Sequence, residues 1–154
     1  MTQHDAGKPH RIPFAMIGGG FGSAVGVSHR DAAQMGGVFE LQAGVFSADP
    51  KRGREFGETV GVAPQRCYGT VEELVERESS RKDGIRLATI VTPNALHAPA
   101  ARTLLEGGIH VMCEKPMAIS RAEAVELRSI AGQRGLVFGL AHAYSGYAMV
   151  HEAR

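Results

Sequence analysis

The chain has 154 residues, of which 44% are hydrophobic and 21% charged, a composition typical of one soluble globular domain. Its formal net charge of +1 gives no electrostatic reason to expect nucleic acid or an anionic membrane as a partner. The apolar runs are strand-sized, well short of the ~20 residues that cross a membrane. Residues 1–11 are polar and lack the apolar core of a secretion signal, so we expect a disordered tail on a cytoplasmic protein.

The first half of the chain predicts alternating strands and helices. An apolar run over residues 12–17 predicts a first strand that ends in glycines, and a helix should follow over about 23–34. Residues 41–46 predict the second strand. Asp49-Pro50 then opens a second helix that runs toward Gly57, because proline suits the first turn of a helix.

The middle of the chain is less regular. Residues 61–68 are poorly patterned and predict a short third strand and a loop. Thr70 and Glu73 have the spacing of a capping box, which opens the next helix. Residues 85–91 are rich in β-formers and predict the fourth strand, and the apolar spacing over 94–106 predicts a helix.

The last third repeats the alternation. Residues 109–113 predict the fifth strand, and Ser120 with Glu123 forms a second capping box that opens a helix through Ala131. Residues 136–141 predict the sixth strand. Strands alternating with helices and short glycine turns predict an α/β fold: a Rossmann-like, doubly wound parallel sheet in a three-layer α/β/α arrangement.

Two cysteines, Cys67 and Cys113, are too far apart for a CxxC metal or redox motif. We therefore expect two reduced thiols and no metal site, in keeping with a cytoplasmic protein.

The glycine run that follows the first strand predicts a dinucleotide site. Gly18 and Gly20, with Phe21 and Gly22, let the backbone turn tightly and approach a pyrophosphate at the start of the next helix. The third position of the fingerprint is Ser23, not glycine. A glycine turn without a ligand is the alternative.

The end of the second strand bears on the choice between NAD and NADP. An NAD site carries an acidic residue there, whereas this chain has Ser47, followed by Asp49, Lys51 and Arg52. A hydroxyl with Arg52 nearby favours NADP over NAD. Asp49 can instead cap the next helix, and Lys51 and Arg52 can form a solvated face.

The turn after the fourth strand, Thr92-Pro93-Asn94, is predicted to face the cofactor, because ligands of open α/β sheets bind beyond the carboxyl ends of the strands. Asn94 can alternatively cap its helix. His97 lies on the first turn of that helix, where a cofactor contact and a structural role are both open.

The fifth strand ends in Glu114-Lys115-Pro116, and Lys115 is the candidate catalytic residue. Neighbouring strand residues point to opposite faces, so Glu114 can hold the nicotinamide ribose while Lys115 polarises or protonates a substrate carbonyl. A surface Glu-Lys pair is the alternative. His142 and Tyr144 end the sixth strand at the same edge, where they either contact substrate or serve the fold.

In these motifs the chain resembles the Gfo/Idh/MocA oxidoreductases, a family that includes glucose-fructose oxidoreductase and inositol dehydrogenase. The matching segments are residues 18–22, 92–97 and 108–116, in the family's order. The resemblance implies a Rossmann domain over residues 12–145 that binds NAD or NADP, with hydride transfer to or from a small sugar, inositol or related polyol. By resemblance Lys115 contacts substrate and nicotinamide, while Glu114 and the 92–94 turn hold the cofactor.

The resemblance also implies a second domain that supplies the substrate pocket and the interface of a homo-oligomer. Residues 146–154 match the start of the crossover to that domain, so we expect either a piece of a longer protein or a short natural chain. The alternative to an enzyme is a non-catalytic dinucleotide-binding or sensing module that lacks a substrate domain. A third interpretation is a Rossmann-shaped protein that binds a mononucleotide or no nucleotide.

Overall fold

A computed structural model describes residues 11–153. The predicted tail, residues 1–11, lies outside the described residues except for Arg11. Between residues 11 and 153 the chain forms five strands: β1 Ile12–Gly18, β2 Phe39–Val45, β3 Leu87–Val91, β4 His110–Glu114 and β5 Phe138–Ala141. The same range holds six α-helices: α1 Ala24–Met35, α2 Pro50–Thr59, α3 Val71–Ser79, α4 His97–Glu106, α5 Arg121–Arg134 and α6 Ala148–Glu152.

The strands form one parallel sheet in the order β2-β1-β3-β4-β5. The chain winds outward from β1 in both directions, so the connections diverge between β1 and β3. Gly18 pairs with Val91 in the register of these two strands, which brings the ends of β1 and β3 side by side. Such a switch point is where open α/β sheets form a binding crevice.

Apolar residues of the sheet feed two separate cores. Met16 packs with Phe46 and Phe56 beneath α1 and α2. Its neighbours Ala15 and Ile17 point the other way, into a larger core with residues of α3, α4 and α5. The sheet is therefore covered on both faces, and the predicted doubly wound three-layer fold is confirmed.

The predicted third strand at residues 61–68 is wrong. Pro64–Arg66 forms a 3-10 turn, and the segment meets the sheet only at an isolated bridge between Gly44 and Cys67. Pro64 has no amide hydrogen to donate to a ladder, and the Arg66 side chain turns inward, where it is 6% exposed. These two residues convert the segment into a buried turn beside β2.

Arg66 meets a buried carboxylate on α3. Glu78, which is 1% exposed, accepts from Nε of Arg66 at 3.0 Å and also pairs with Nη2. The Tyr68 hydroxyl donates to Glu78 at 2.7 Å, and the Ile85 amide donates at 3.2 Å. This network joins the end of α3 to the segment before β3, and every member finds a partner.

The helix starts largely follow the predicted caps. The Ser120–Glu123 capping box is present, and α5 then continues beyond the predicted Ala131 to Arg134. Thr70 also caps α3 by accepting from the Glu73 amide at 3.1 Å. The Glu73 carboxylate, however, accepts from the Gly69 amide, one residue earlier than a capping box requires. None of the helices within residues 11–153 combines the length and apolar character needed to cross a membrane.

Candidate functional site: the carboxyl edge of the sheet

The glycine turn links β1 to α1. Gly18, Gly19 and Gly22 have φ angles of 81°, 74° and 79°, which residues with side chains rarely adopt. At Gly20 the limit is space, because a Cβ atom there would overlap the carbonyl oxygen of Phe46. A Cβ atom at Gly22 would instead meet nothing within 4 Å. Gly22 thus presents bare backbone to open space, whereas Gly20 is packed against Phe46.

Helix α1 packs directly on this turn. Ser23 caps the helix by accepting from the Gly26 amide at 3.0 Å. A Cβ atom at Gly26 would lie 2.6 Å from Cα of Gly19, so only glycine allows the close contact. Arg30 secures the turn further by donating from Nη1 to the Gly19 carbonyl at 2.8 Å. The fingerprint spacing puts the third position at Ser23, whereas the structure places the close contact at Gly26, a glycine inside a helix.

Two of the predicted cofactor contacts, Phe21 and Arg52, touch each other. The guanidinium carbon of Arg52 lies 5.7 Å from the centre of the Phe21 ring. The ring, 48% exposed, meets Phe56 edge-on at a centroid distance of 5.1 Å. The cation and ring hold Arg52, on α2, against the glycine turn.

The end of β2 is organised around a helix cap. Asp49 accepts from the amides of Lys51 at 2.9 Å and Arg52 at 3.3 Å, so the capping role that the sequence left open for Asp49 is present. The Ser47 hydroxyl accepts from the Asp49 amide at 3.1 Å. Ser47 is half-buried at the mouth of the groove that follows.

A groove of about 670 Å³ runs along the carboxyl ends of β1, β2 and β3. Gly18, Ser47, Thr92 and Pro93 line it. The Thr92 hydroxyl is buried and has no hydrogen-bond partner within residues 11–153. An unpartnered buried hydroxyl costs about 1–3 kcal/mol, so this part of the groove wall is locally unfavourable in energy.

The turn after β3 carries the remaining predicted contacts of that strand. The predicted helix at 94–106 divides into a 3-10 turn, Asn94–Leu96, and α4. Neither segment has a side-chain cap, and Asn94 is exposed, so the geometry does not support the capping alternative for Asn94.

His97 lies beneath this turn and is 1% exposed. Its Nε2 is 2.8 Å from the carbonyl oxygen of Thr92, and its Nδ1 is 2.7 Å from the carbonyl oxygen of Pro116. Both ring nitrogens are thus occupied by backbone. This geometry favours the structural role for His97 over the cofactor contact that the sequence also allows.

Glu114 ends β4 and uses both of its carboxylate oxygens. Oε2 accepts from the Lys115 amide at 3.0 Å, and Oε1 lies 2.9 Å from Nε2 of His29. Burial raises the pKa of Glu114, but the bonds from His29 and the Lys115 amide outweigh burial and leave it below its ordinary value. Lys115 itself is exposed, and the peptide bond to Pro116 is cis.

His29 is the residue of this edge that the motifs do not reveal. It lies on α1 and reaches across β3, where Nδ1 is 3.3 Å from the Thr89 hydroxyl. Glu114 is 85 positions away along the chain, so local pattern carries no sign of the contact. The available signal is a histidine three residues after Gly26, on the side of α1 that packs on the sheet.

His142 and Tyr144 follow β5, the edge strand. Both are exposed, and the Tyr144 ring contacts the Tyr147 ring at a centroid distance of 5.6 Å. The strands are parallel and adjacent, so Thr92, Glu114 and His142 lie at the carboxyl ends of three neighbouring strands. Ser47 follows β2, on the far side of β1.

The chain matches a known protein family over most of its length. The Gfo/Idh/MocA family, described as an oxidoreductase family with an NAD-binding Rossmann fold, matches residues 12–142. Among solved structures, an inositol dehydrogenase homologue from Azotobacter vinelandii, complexed with NADH and myo-inositol, superposes with a TM-score of 0.91 at 44% identity. That match covers 94% of this chain and 38% of the other.

Two sequence relatives extend the comparison. An uncharacterised oxidoreductase of Bacillus subtilis, YfiI, is 39% identical over 148 residues, which cover 96% of this chain and 37% of the relative. The UDP-N-acetylglucosamine 3-dehydrogenase of Acidithiobacillus ferrooxidans is 30% identical over 122 residues, or 77% of this chain and 35% of the relative. The chain thus spans less than two-fifths of the length of these relatives. It belongs to the Gfo/Idh/MocA oxidoreductases and corresponds to their NAD-binding Rossmann domain.

Proposed function

We propose that the chain binds a nicotinamide dinucleotide at the carboxyl edge of the sheet and serves as the cofactor half of an oxidoreductase. The observation that carries the proposal is the glycine turn, in which Gly20 leaves no room for a Cβ atom and α1 begins immediately afterwards. A helix start behind bare backbone suits a pyrophosphate, because free amides and the helix dipole both attract anions.

The surrounding residues fit the rest of such a ligand. The groove of about 670 Å³ next to the turn has room for an adenosine, and Val45, Val91 and Leu96 give it apolar walls. Thr92 lines the same groove and is proposed to contact the cofactor there. Pro93 lines the same groove, and the exposed Asn94 follows it in the turn after β3.

The preferred dinucleotide is proposed to be NADP. Ser47 places no carboxylate at the end of β2, and Arg52 is held nearby on Phe21, so a 2′-phosphate would meet a cation without meeting an opposing carboxylate at Ser47. Asp49 is engaged as a helix cap. The Azotobacter relative was solved with NADH, which makes direct comparison of the two cofactors the necessary control.

Lys115 is proposed as the catalytic residue. It is exposed at the end of β4, and its backbone amide donates a hydrogen bond to the Glu114 carboxylate at 3.0 Å, which fixes the backbone at this point. An ammonium at this point polarises a substrate oxygen or gives it a proton. The bound cofactor supplies the hydride acceptor or donor. Glu114 orients the turn that carries Lys115. His142 and Tyr144 lie beyond β5, where the substrate would approach.

The substrate class is proposed to be a sugar, inositol or related polyol. The support is the Azotobacter relative, solved with myo-inositol, and the Acidithiobacillus relative, named for a sugar nucleotide. A second domain and a homo-oligomer, both implied by the family, belong to the same proposal. Residues 146–154, which include α6, would begin the crossover to that domain.

Replacing Lys115 tests the assignment in the full-length protein. Lys115→Ala should lower kcat by about 100-fold or more with a panel of sugars and inositols, in the range of general acid-base contributions. Affinity for the dinucleotide should stay within a few-fold. Lys82→Ala, an exposed lysine in the loop before β3, is the matched control. Equal turnover in the two variants would overturn the role of Lys115.

A further inference from the structure

We propose that His29 is a positioning residue, which holds the Glu114 carboxylate and, through it, the Lys115 turn against α1. The inference rests on the proposed function, since it concerns the same edge of the sheet. It adds a residue that lies on neither the glycine turn nor the Glu-Lys-Pro segment.

The geometry forms a continuous chain of bonds across the sheet. Thr89, on β3, is 5% exposed, and its hydroxyl lies 3.3 Å from Nδ1 of His29. Nε2 of the same ring lies 2.9 Å from Oε1 of Glu114. The side chains of His29 and Glu114 are 15% and 20% exposed, so water competes little for the bond between them.

The partners determine where the ring carries its proton. An ionised carboxylate only accepts hydrogen bonds, so Nε2 of His29 must be the donor to Glu114. In the neutral ring Nδ1 is then an acceptor, and the Thr89 hydroxyl donates to it. Glu114 thus selects the tautomer, and the Thr89 hydroxyl suits it because a hydroxyl can donate to Nδ1.

The second carboxylate oxygen transmits the constraint. Oε2 of Glu114 accepts from the Lys115 amide at 3.0 Å, so the side chain that His29 holds in turn holds the backbone of the next residue. Gly26, which packs on the glycine turn, lies one helical turn before His29. Helix α1 therefore contacts both turns: Gly26 packs on the glycine turn, and His29 bonds to Glu114, which holds the turn that carries Lys115.

Two substitutions separate this role from packing alone. His29→Leu keeps the side chain's bulk but removes both ring nitrogens, and His29→Gln keeps an N–H donor at the reach of Nε2. His151→Leu on α6, an exposed histidine, controls for the chemical change. The first readout is the hydrogen-exchange rate of the Lys115 amide. NMR monitors this rate, with the Cys113 amide in β4 as the internal standard.

Exchange at Lys115 should speed up about tenfold in His29→Leu, which corresponds to about 1.4 kcal/mol. It should recover in His29→Gln and stay unchanged in His151→Leu. Nitrogen shifts of the ring should show Nε2 protonated in the parent chain. A ring protonated only at Nδ1, or equal Lys115 exchange in all variants, would overturn the proposal.

Kinetics of the full-length enzyme supply the functional readout. His29→Leu should lower kcat by about tenfold with little change in dinucleotide affinity, because misplacement of a catalytic group slows chemistry more than binding. His29→Gln should restore most of the rate, and failure to do so would count against positioning. Absence of dinucleotide binding in the parent chain, with Lys115 protection intact, would contradict the proposed function and leave the His29 bond established.

Discussion

Nδ1 of His97 lies 2.7 Å from the carbonyl oxygen of Pro116, and the ring that makes this contact is 1% exposed. The opposite nitrogen reaches the carbonyl oxygen of Thr92 at 2.8 Å. One imidazole therefore lies between the turn after β3 and the turn after β4 and contacts the backbone of both. These are the two turns that carry the predicted cofactor contacts and the candidate catalytic lysine.

Removal of this ring should destabilise the fold. His97→Ala leaves a cavity and removes the ring that contacts two inward carbonyl oxygens, so we expect the free energy of unfolding to fall by about 2–4 kcal/mol. Urea denaturation measures the change. His151→Ala, on an exposed position of α6, should alter it by less than about 0.5 kcal/mol. Equal effects of the two substitutions would show that His97 does not brace the turns.

The glycine turn should tolerate no side chain at its second fingerprint position. In Gly20→Ala the new methyl group would overlap the Phe46 carbonyl oxygen, so we expect a loss of about 1–3 kcal/mol and weaker dinucleotide binding. Gly132→Ala provides the contrast, because Gly132 is inside α5 with nothing within 4 Å of the added atom. That variant should be more stable by about 0.5–1 kcal/mol. Destabilisation by Gly132→Ala, or none by Gly20→Ala, would contradict the geometry.

The buried ion pair of Arg66 and Glu78 should be far more sensitive than a surface pair. Glu78→Ala leaves the Arg66 guanidinium buried without its main partner, and we expect a loss of about 3–5 kcal/mol in unfolding experiments. Glu126→Ala breaks the exposed pair with Arg102 and should have no resolvable effect. Similar losses in the two variants would mean that burial does not determine how much the Arg66–Glu78 pair contributes to the free energy of unfolding.

The two thiols should be unreactive in the folded protein. Burial, with a smaller contribution from the Glu114 charge, raises the pKa of Cys113 from 9.0 to about 12, which corresponds to roughly a thousandfold less thiolate at a given pH. Burial also raises the pKa of Cys67. Iodoacetamide should modify both residues in urea and neither in buffer at mildly alkaline pH. Fast modification of Cys113 in the native state would contradict its burial.

The same shifts set a direction for stability against pH. A thiol whose folded pKa is raised holds its proton in the native state after the unfolded state has lost it. The free energy of unfolding should therefore fall as the pH rises past 9.0, the ordinary pKa of a thiol. It should continue to fall up to about 12, the pKa of Cys113 in the folded protein. Replacing Cys113 by Ser should reduce this alkaline dependence.

Local pattern predicted most of the fold. The glycines after β1, the capping residue Ser120 and the β-rich run before Thr92 each act within a few residues, so sequence alone locates the elements that they bound. The prediction for residues 61–68 was wrong because the conformation of this segment depends on the contact between Arg66 and Glu78. Glu78 lies on a helix later in the sequence, so the local pattern does not reveal that contact.

The site shows the same division. Glu114 and Lys115 are visible as an abrupt polar end to an apolar strand. The partner of Glu114 is not visible, because His29 is brought there by the packing of α1 on the sheet. For His97, sequence left two roles open, and only burial and the two carbonyl contacts favour one of them.

Calorimetric titration of this chain with NADP⁺ and with NAD⁺ tests whether the carboxyl edge of the sheet binds a nicotinamide dinucleotide. We expect saturable binding of one dinucleotide per chain, tighter for NADP⁺, and much weaker binding of AMP alone. Tighter binding of NAD⁺ would keep the dinucleotide site and overturn Ser47 and Arg52 as readers of a 2′-phosphate. Binding of neither dinucleotide would contradict the assignment of the glycine turn and its groove as a cofactor site.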